Sequence, residues 1–92
     1  MIGIYNGVVD NVDNIKVSPM SRAYTFGDAV YGVIPYANGF IHYMRHISRF
    51  MESLKKLNIE LDQKIVEEDI AKLPVKDTGY VYYQVSKGID KV

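Results

Sequence analysis

Ala29-Val-Tyr-Gly-Val-Ile-Pro-Tyr36, then Asn38-Gly39, Phe40-Ile-His-Tyr43 and Arg45-His-Ile-Ser-Arg-Phe-Met-Glu-Ser-Leu-Lys-Lys-Leu57: along this stretch the apolar pattern changes period, and the fold class follows from the change. The first segment is rich in tyrosine and branched residues, which favour a pleated strand. Asn38-Gly39 tolerates positive φ, so it predicts a tight hairpin turn onto a second strand at Phe40–Tyr43, with Pro35 marking an edge or a bulge. From Arg45 the apolar residues Ile47, Phe50, Met51, Leu54 and Leu57 recur at spacings of three and four, one face of an amphipathic helix. Working outward, Ile2–Tyr5 and Val8-Val9 flank Asn6-Gly7 and predict another hairpin. Ile15–Val17 predicts a short strand ended by Ser18-Pro19. Asp62 is placed to cap a second helix running to Leu73, with Ile65, Val66, Ile70 and Leu73 as its buried face and Pro74 as its stop. Gly79–Val85 reads as a last strand. Hairpins before helices predict an α+β fold, an antiparallel sheet built from hairpins and covered by two helices.

The 92 residues suffice for a single domain over 1–92, one that buries only about 60–65% of its unfolded surface. With 48% hydrophobic and 24% charged residues the composition is that of a globular protein. Eleven basic residues balance eleven acidic ones, which argues against a nucleic-acid surface. The absence of cysteine excludes disulfides, thiolate metal sites and cysteine nucleophiles. The mostly apolar run Ala29–Ala37 is too short to span a bilayer, and the N-terminus lacks the layout of a signal peptide, so the expectation is a soluble, cytoplasmic chain.

Few residues stand out as chemistry. His42 and His46 are four apart, a spacing that serves a metal only on a helix, and no glutamate follows the first as a zinc protease requires; no metal site is expected. Glycine-rich phosphate loops and the nucleophile elbow of serine hydrolases are missing. Lys55-Lys56 and Glu67-Glu68-Asp69 read as solvated faces. Most of the eight tyrosines read as packing residues with a wet hydroxyl. Arg49 falls off the apolar stripe of its helix, so it is either simply exposed or a planar donor for an anion.

One run carries more. Arg22-Ala-Tyr-Thr-Phe-Gly-Asp-Ala-Val-Tyr31 resembles the N-terminal signature of the class IV aminotransferases, the fold-type IV pyridoxal-phosphate enzymes. In register follow Tyr36-Ala-Asn-Gly39, His46-Ile-Ser-Arg49-Phe50 and Tyr82-Tyr-Gln-Val-Ser-Lys-Gly88, each similar to a motif of that family. Within it, the D-amino-acid (D-alanine) aminotransferases are most similar, ahead of branched-chain aminotransferases and aminodeoxychorismate lyases. The resemblance implies that Arg49 holds the cofactor phosphate. It implies that Tyr31 faces the substrate and helps hold its carboxylate, that Phe26, Gly27 and Asp28 form the turn positioning Tyr31, and that His46 gives a supporting hydrogen bond. Glycine's freedom at positive φ and aspartate's bonding to nearby backbone would account for such a turn. Departures from the family are Gly32 for its usual glutamate, Ala29 for glycine, Lys87 for arginine, and Ile-Asp-Lys-Val after Gly88.

Such enzymes need a lysine to form a Schiff base with pyridoxal phosphate and a carboxylate beside the pyridine nitrogen, and in the family both come from the C-terminal domain. The resemblance reaches only the N-terminal domain. It therefore implies an N-terminal piece of a D-amino-acid aminotransferase-like enzyme, moving an amino group between a D-amino acid such as D-alanine and a 2-oxo acid. No catalytic residue is expected in this chain, which alone should not transaminate; a C-terminal domain and a second copy are the expected partners. The alternatives are a non-catalytic dimerisation or binding domain and the N-terminal part of an aminodeoxychorismate lyase.

Overall fold

The computed structural model describes residues 1–25, 27 and 29–87. Strands β1 (Ile2–Tyr5) and β2 (Val8–Asn11) form the first hairpin, with Tyr5 opposite Val8. Asn6 and Gly7 both take positive φ, 50° and 84°, as a type I′ turn requires. A 3-10 turn follows at Val12–Asn14, capped by the Asn11 side chain accepting from the Asp13 N–H at 3.0 Å. Ile15–Val17 does not form the expected strand. Beyond it the Ser18 hydroxyl accepts from the Met20 N–H at 3.1 Å, a local bond that suits a turn better than a ladder. A single helical turn, α1 (Arg22–Thr25), leads into β3 (Ala29–Ala37).

The hairpin expected at Asn38-Gly39 is not formed as a strand pair. β3 instead pairs antiparallel with β4 (Thr78–Ser86) along its whole length, Ala29 opposite Ser86 and Ala37 opposite Thr78. Only a single bridge, Tyr36 to Phe40, remains of the local pairing. His42 takes a left-handed conformation (φ 53°) and the chain enters α2 (Tyr43–Lys56) directly after it. Tyr43 stands at i−4 from Ile47 and i−7 from Phe50, so joining the helix places it on the apolar stripe. The Phe40 ring packs between Tyr36 (5.1 Å, edge-on) and Tyr43 (5.3 Å), fixing the corner.

Alternation splits the β3–β4 ribbon into two faces. Val30, Gly32, Ile34 and Tyr36 point inward with Gly79, Val81, Tyr83 and Val85. Ile47, Phe50 and Leu54 of α2 pack on this face, and Val66 and Ile70 of α3 (Gln63–Ala71) complete the core with Ile34 and Val81. The expected cap of α3 is present: Asp62 Oδ1 accepts from the Lys64 N–H at 2.9 Å. α2 closes on Asn58 at φ 56°, its N–H donating to the Lys55 carbonyl at 3.1 Å while the Ile59 N–H donates to the Leu54 carbonyl at 2.9 Å. Two antiparallel two-stranded sheets and two substantial helices make the α+β fold expected, although the sheet is divided.

Ile65, read as part of the buried face of α3, is 49% exposed, whereas Leu54 is 1% exposed. Leu54→Ala is therefore expected to lower the unfolding free energy by about 2–5 kcal/mol, and Ile65→Ala by less than about 1 kcal/mol. Urea denaturation of both variants checks this; equal losses would mean that α3 presents a different face to the core.

Candidate functional site

Tyr31 lies on the outward face of β3, 68% exposed. Its ring stacks on that of Tyr82 at 5.8 Å and 20°, a diagonal cross-strand pair, since Tyr31 opposes Gln84 and Tyr82 opposes Val33. Tyr82 is itself anchored, its hydroxyl donating to Gln84 Oε1 at 2.7 Å. The Tyr31 hydroxyl makes no hydrogen bond to a described residue and is open to an outside acceptor. Val33 and Tyr80 extend the same face, so the ribbon shows the solvent an aromatic and apolar surface with free phenol groups.

Arg49 is exposed on α2. At 3.6 residues per turn it falls between the outward Arg45 and Glu52 and the half-buried His46 and Ser53. That places it on the flank of the helix away from the groove shared with α3. It forms no ion pair with a described residue. Tyr31 and Arg49 thus look out from different layers, one from the ribbon and one from the helix covering its other side. Each offers a free polar end, and nothing among the described residues joins the two into one pocket.

His46 is half-buried, and its ring makes no hydrogen bond to a described residue. The Tyr83 hydroxyl points instead at its main-chain carbonyl, 3.5 Å away. Gly27 takes φ 67°, the left-handed conformation anticipated for it, and the Ala29 N–H donates to its carbonyl at 2.9 Å. Phe26 and Asp28 lie outside the described residues, as does the stretch from Gly88 onward. Among the described residues no group of His, Asp and Glu side chains could hold a metal. No helix among them is long and apolar enough to cross a membrane. A groove of about 730 Å³ runs between α2 and the start of α3, lined by Ser48, Met51, Lys55 and Leu61 among others, on neither surface that carries Tyr31 or Arg49.

No protein-family model matches the chain. Among curated proteins it is 34% identical to a D-alanine aminotransferase of Listeria monocytogenes serotype 1/2a, over 94% of the chain and 32% of that protein. It is 29% identical to a D-alanine aminotransferase of Staphylococcus aureus strain MSSA476, over 91% of the chain and 32% of that protein. Among solved structures it superposes on the branched-chain aminotransferase of Thermoproteus uzoniensis with a TM-score of 0.68 at 21% identity, covering 88% of the chain and 31% of that enzyme. In sequence and in fold the chain is class IV aminotransferase-like. It spans about a third of the length of the curated relatives it matches.

Pyridoxal phosphate can be weighed against the donors this aminotransferase-like domain offers. A guanidinium with no ion pair to a described residue suits a phosphate dianion, which it grips with two parallel N–H bonds. A phenol hydroxyl with no described partner suits a carboxylate. The residues fit the group and its substrate one contact at a time.

Sequence reading singled out neither Tyr43, half-buried at the start of α2, nor Tyr83, half-buried on β4 beneath that helix. Burial, then the nearby Glu67 carboxylate, pushes the Tyr43 pKa up to about 12. The folded state therefore favours the neutral phenol. That contribution is complete below the ordinary tyrosine pKa near 10 and is lost as pH rises toward 12. Stability is expected to fall across this window, and less steeply in Tyr43→Phe. Thermal melts from pH 9 to 12.5 test it, and parallel curves for both proteins would remove Tyr43 as the cause.

Proposed function

We propose that the chain is the N-terminal domain, over 1–92, of a pyridoxal-phosphate-dependent aminotransferase of D-amino acids such as D-alanine, with a 2-oxo acid as acceptor. The observation that carries this is the matching of Tyr31 and Arg49, both exposed with uncommitted polar groups, to the family motifs, together with the likeness to D-alanine aminotransferases along nearly all of the chain. Bound pyridoxal phosphate supplies a ring that withdraws electrons from the substrate's α-carbon. This chain's part is binding and orientation. Arg49 holds the phosphate, Tyr31 donates its hydroxyl to the substrate carboxylate, and the turn at Phe26, Gly27 and Asp28 aims Tyr31. His46 contributes through its main-chain carbonyl, at the start of the helix that carries Arg49. The lysine that anchors the cofactor is assigned to the part of such an enzyme beyond the stretch matched here, in a cytoplasmic homodimer.

A second reading, a non-catalytic dimerisation or binding domain, draws on the outward apolar face formed by Tyr31, Val33, Tyr80 and Tyr82. It predicts self-association without any preference for phosphorylated ligands.

Isothermal titration with pyridoxamine 5′-phosphate and with pyridoxamine separates the two, because the amine forms do not condense with surface lysines. Arg49 is exposed, and a screened contact of this kind contributes up to about 1 kcal/mol, so the phosphorylated ligand is expected to bind up to about fivefold more tightly. Arg49→Met is expected to remove that preference. An unchanged preference in Arg49→Met would sink the phosphate assignment.

A further inference from the structure

Arg49 and Tyr31 sit on different elements, so their relative placement is set where α2 meets β3. Gly32 lies on the inward face of β3, next in sequence to Tyr31, and directly opposite Tyr83 on β4. The Tyr83 ring lies across the glycine. A Cβ at position 32 would run first into the Tyr83 hydroxyl oxygen and would stand 2.5 Å from Cζ of that ring and 2.9 Å from Cε2, far inside contact distance. The same ring meets Phe50, next in sequence to Arg49, edge-on at 4.6 Å. Its hydroxyl reaches the His46 carbonyl one turn earlier on α2, at 3.5 Å. A ring engaged by both strand and helix in this way can swing aside for a larger residue 32 only by giving up its contacts with Phe50 and the His46 carbonyl. Tyr83 therefore touches the sequence neighbours of both candidate site residues, and the bare backbone at Gly32 lets it do so.

We propose that Tyr83, seated on Gly32, is a positioning residue that sets the spacing of α2 over β3 and so the placement of Arg49 relative to Tyr31. The ring is the spacer. The hydroxyl bond, at the outer limit of hydrogen-bond length, is secondary. This rests on the reading of Arg49 as the phosphate-holding residue.

The test uses the phosphate preference, the ratio of affinities for pyridoxamine 5′-phosphate and pyridoxamine, together with the melting temperature. Variants are Gly32→Ala, Tyr83→Leu, Tyr83→Phe, the double variant Gly32→Ala/Tyr83→Leu, and Arg49→Met. Gly32→Ala and Tyr83→Leu are each expected to bring the preference close to one although Arg49 is intact, and Tyr83→Phe to retain it. In melting temperature Gly32→Ala should be harmful when Tyr83 is present and close to neutral when residue 83 is leucine, because the added methyl then meets no ring. Equal harm in both backgrounds would overturn the proposal, and so would a folded Tyr83→Leu that keeps the full preference. If Tyr83→Leu does not fold, Gly32→Ala against Tyr83→Phe decides: a retained preference in Gly32→Ala overturns the proposal. Should Arg49→Met leave the preference unchanged, the phosphate reading fails first, and this proposal with it.

Discussion

The pairing of β3 with β4 is the constraint on which the rest depends. It joins residues 29–37 to residues 78–86 and closes a loop containing both long helices. The loop is shut at its neck by the Asn38 N–H donating to the Asp77 carbonyl at 2.7 Å. Both neck residues take positive φ, 53° and 57°, a conformation that asparagine and aspartate enter at less strain than most side chains. Closing such a loop carries an entropic penalty that the ladder alone does not offset. What offsets it is the apolar face the ladder creates, where Ile34 and Val81 come side by side and meet Ile47, Phe50 and Leu54. Sheet and helix are thus conditional on each other. Without the ladder the stripe of α2 has nothing to cover, and without α2 a lone two-stranded ribbon is marginal in water.

The same ladder assigns the tyrosines their work. Alternation sends Tyr31, Tyr80 and Tyr82 outward and Tyr36 and Tyr83 inward, so neighbouring positions with the same side chain serve opposite purposes. Tyr83 fills the space left by Gly32, whereas Tyr82, one residue earlier, supports Tyr31 on the wet face by stacking. A shift of one residue in register would exchange these roles, bringing Gln84 into the core and Val81 out of it. The inward side of the ribbon keeps its register because the helices cover it.

The elements set by local chemistry were legible in the sequence. Asn6-Gly7 announced its turn, the period of Ile47, Phe50 and Leu54 announced α2, and Asp62 announced the start of α3. Asn38-Gly39 carried the same local signal and misled, because turn chemistry says what a dipeptide tolerates and not which strand follows it. There the apolar stripe claimed Tyr43 for the helix, and β3 took a partner about forty to sixty residues away that periodicity cannot designate. The outward placement of Tyr31 and the off-stripe position of Arg49 could be read from period alone. Tyr83 could not, since its significance depends on being opposite Gly32, a matter of register between distant strands.

No charged or polar residue among those whose burial is described is buried; the core is entirely apolar. Arg49 and Tyr31 both stand in water, where a single guanidinium–phosphate contact is screened and competes with hydration. An exposed Arg49 by itself would hold a phosphate weakly, and an exposed Tyr31 would orient a carboxylate loosely. Both contacts gain strength only if another surface covers them and excludes solvent, since the same donors at the same distances attract more strongly in a lower dielectric. The outward face of β3–β4, apolar around free phenol groups, is built to be covered in that way. On the proposed reading, this domain supplies fixed donors on a stiff support, and the covering surface makes them effective.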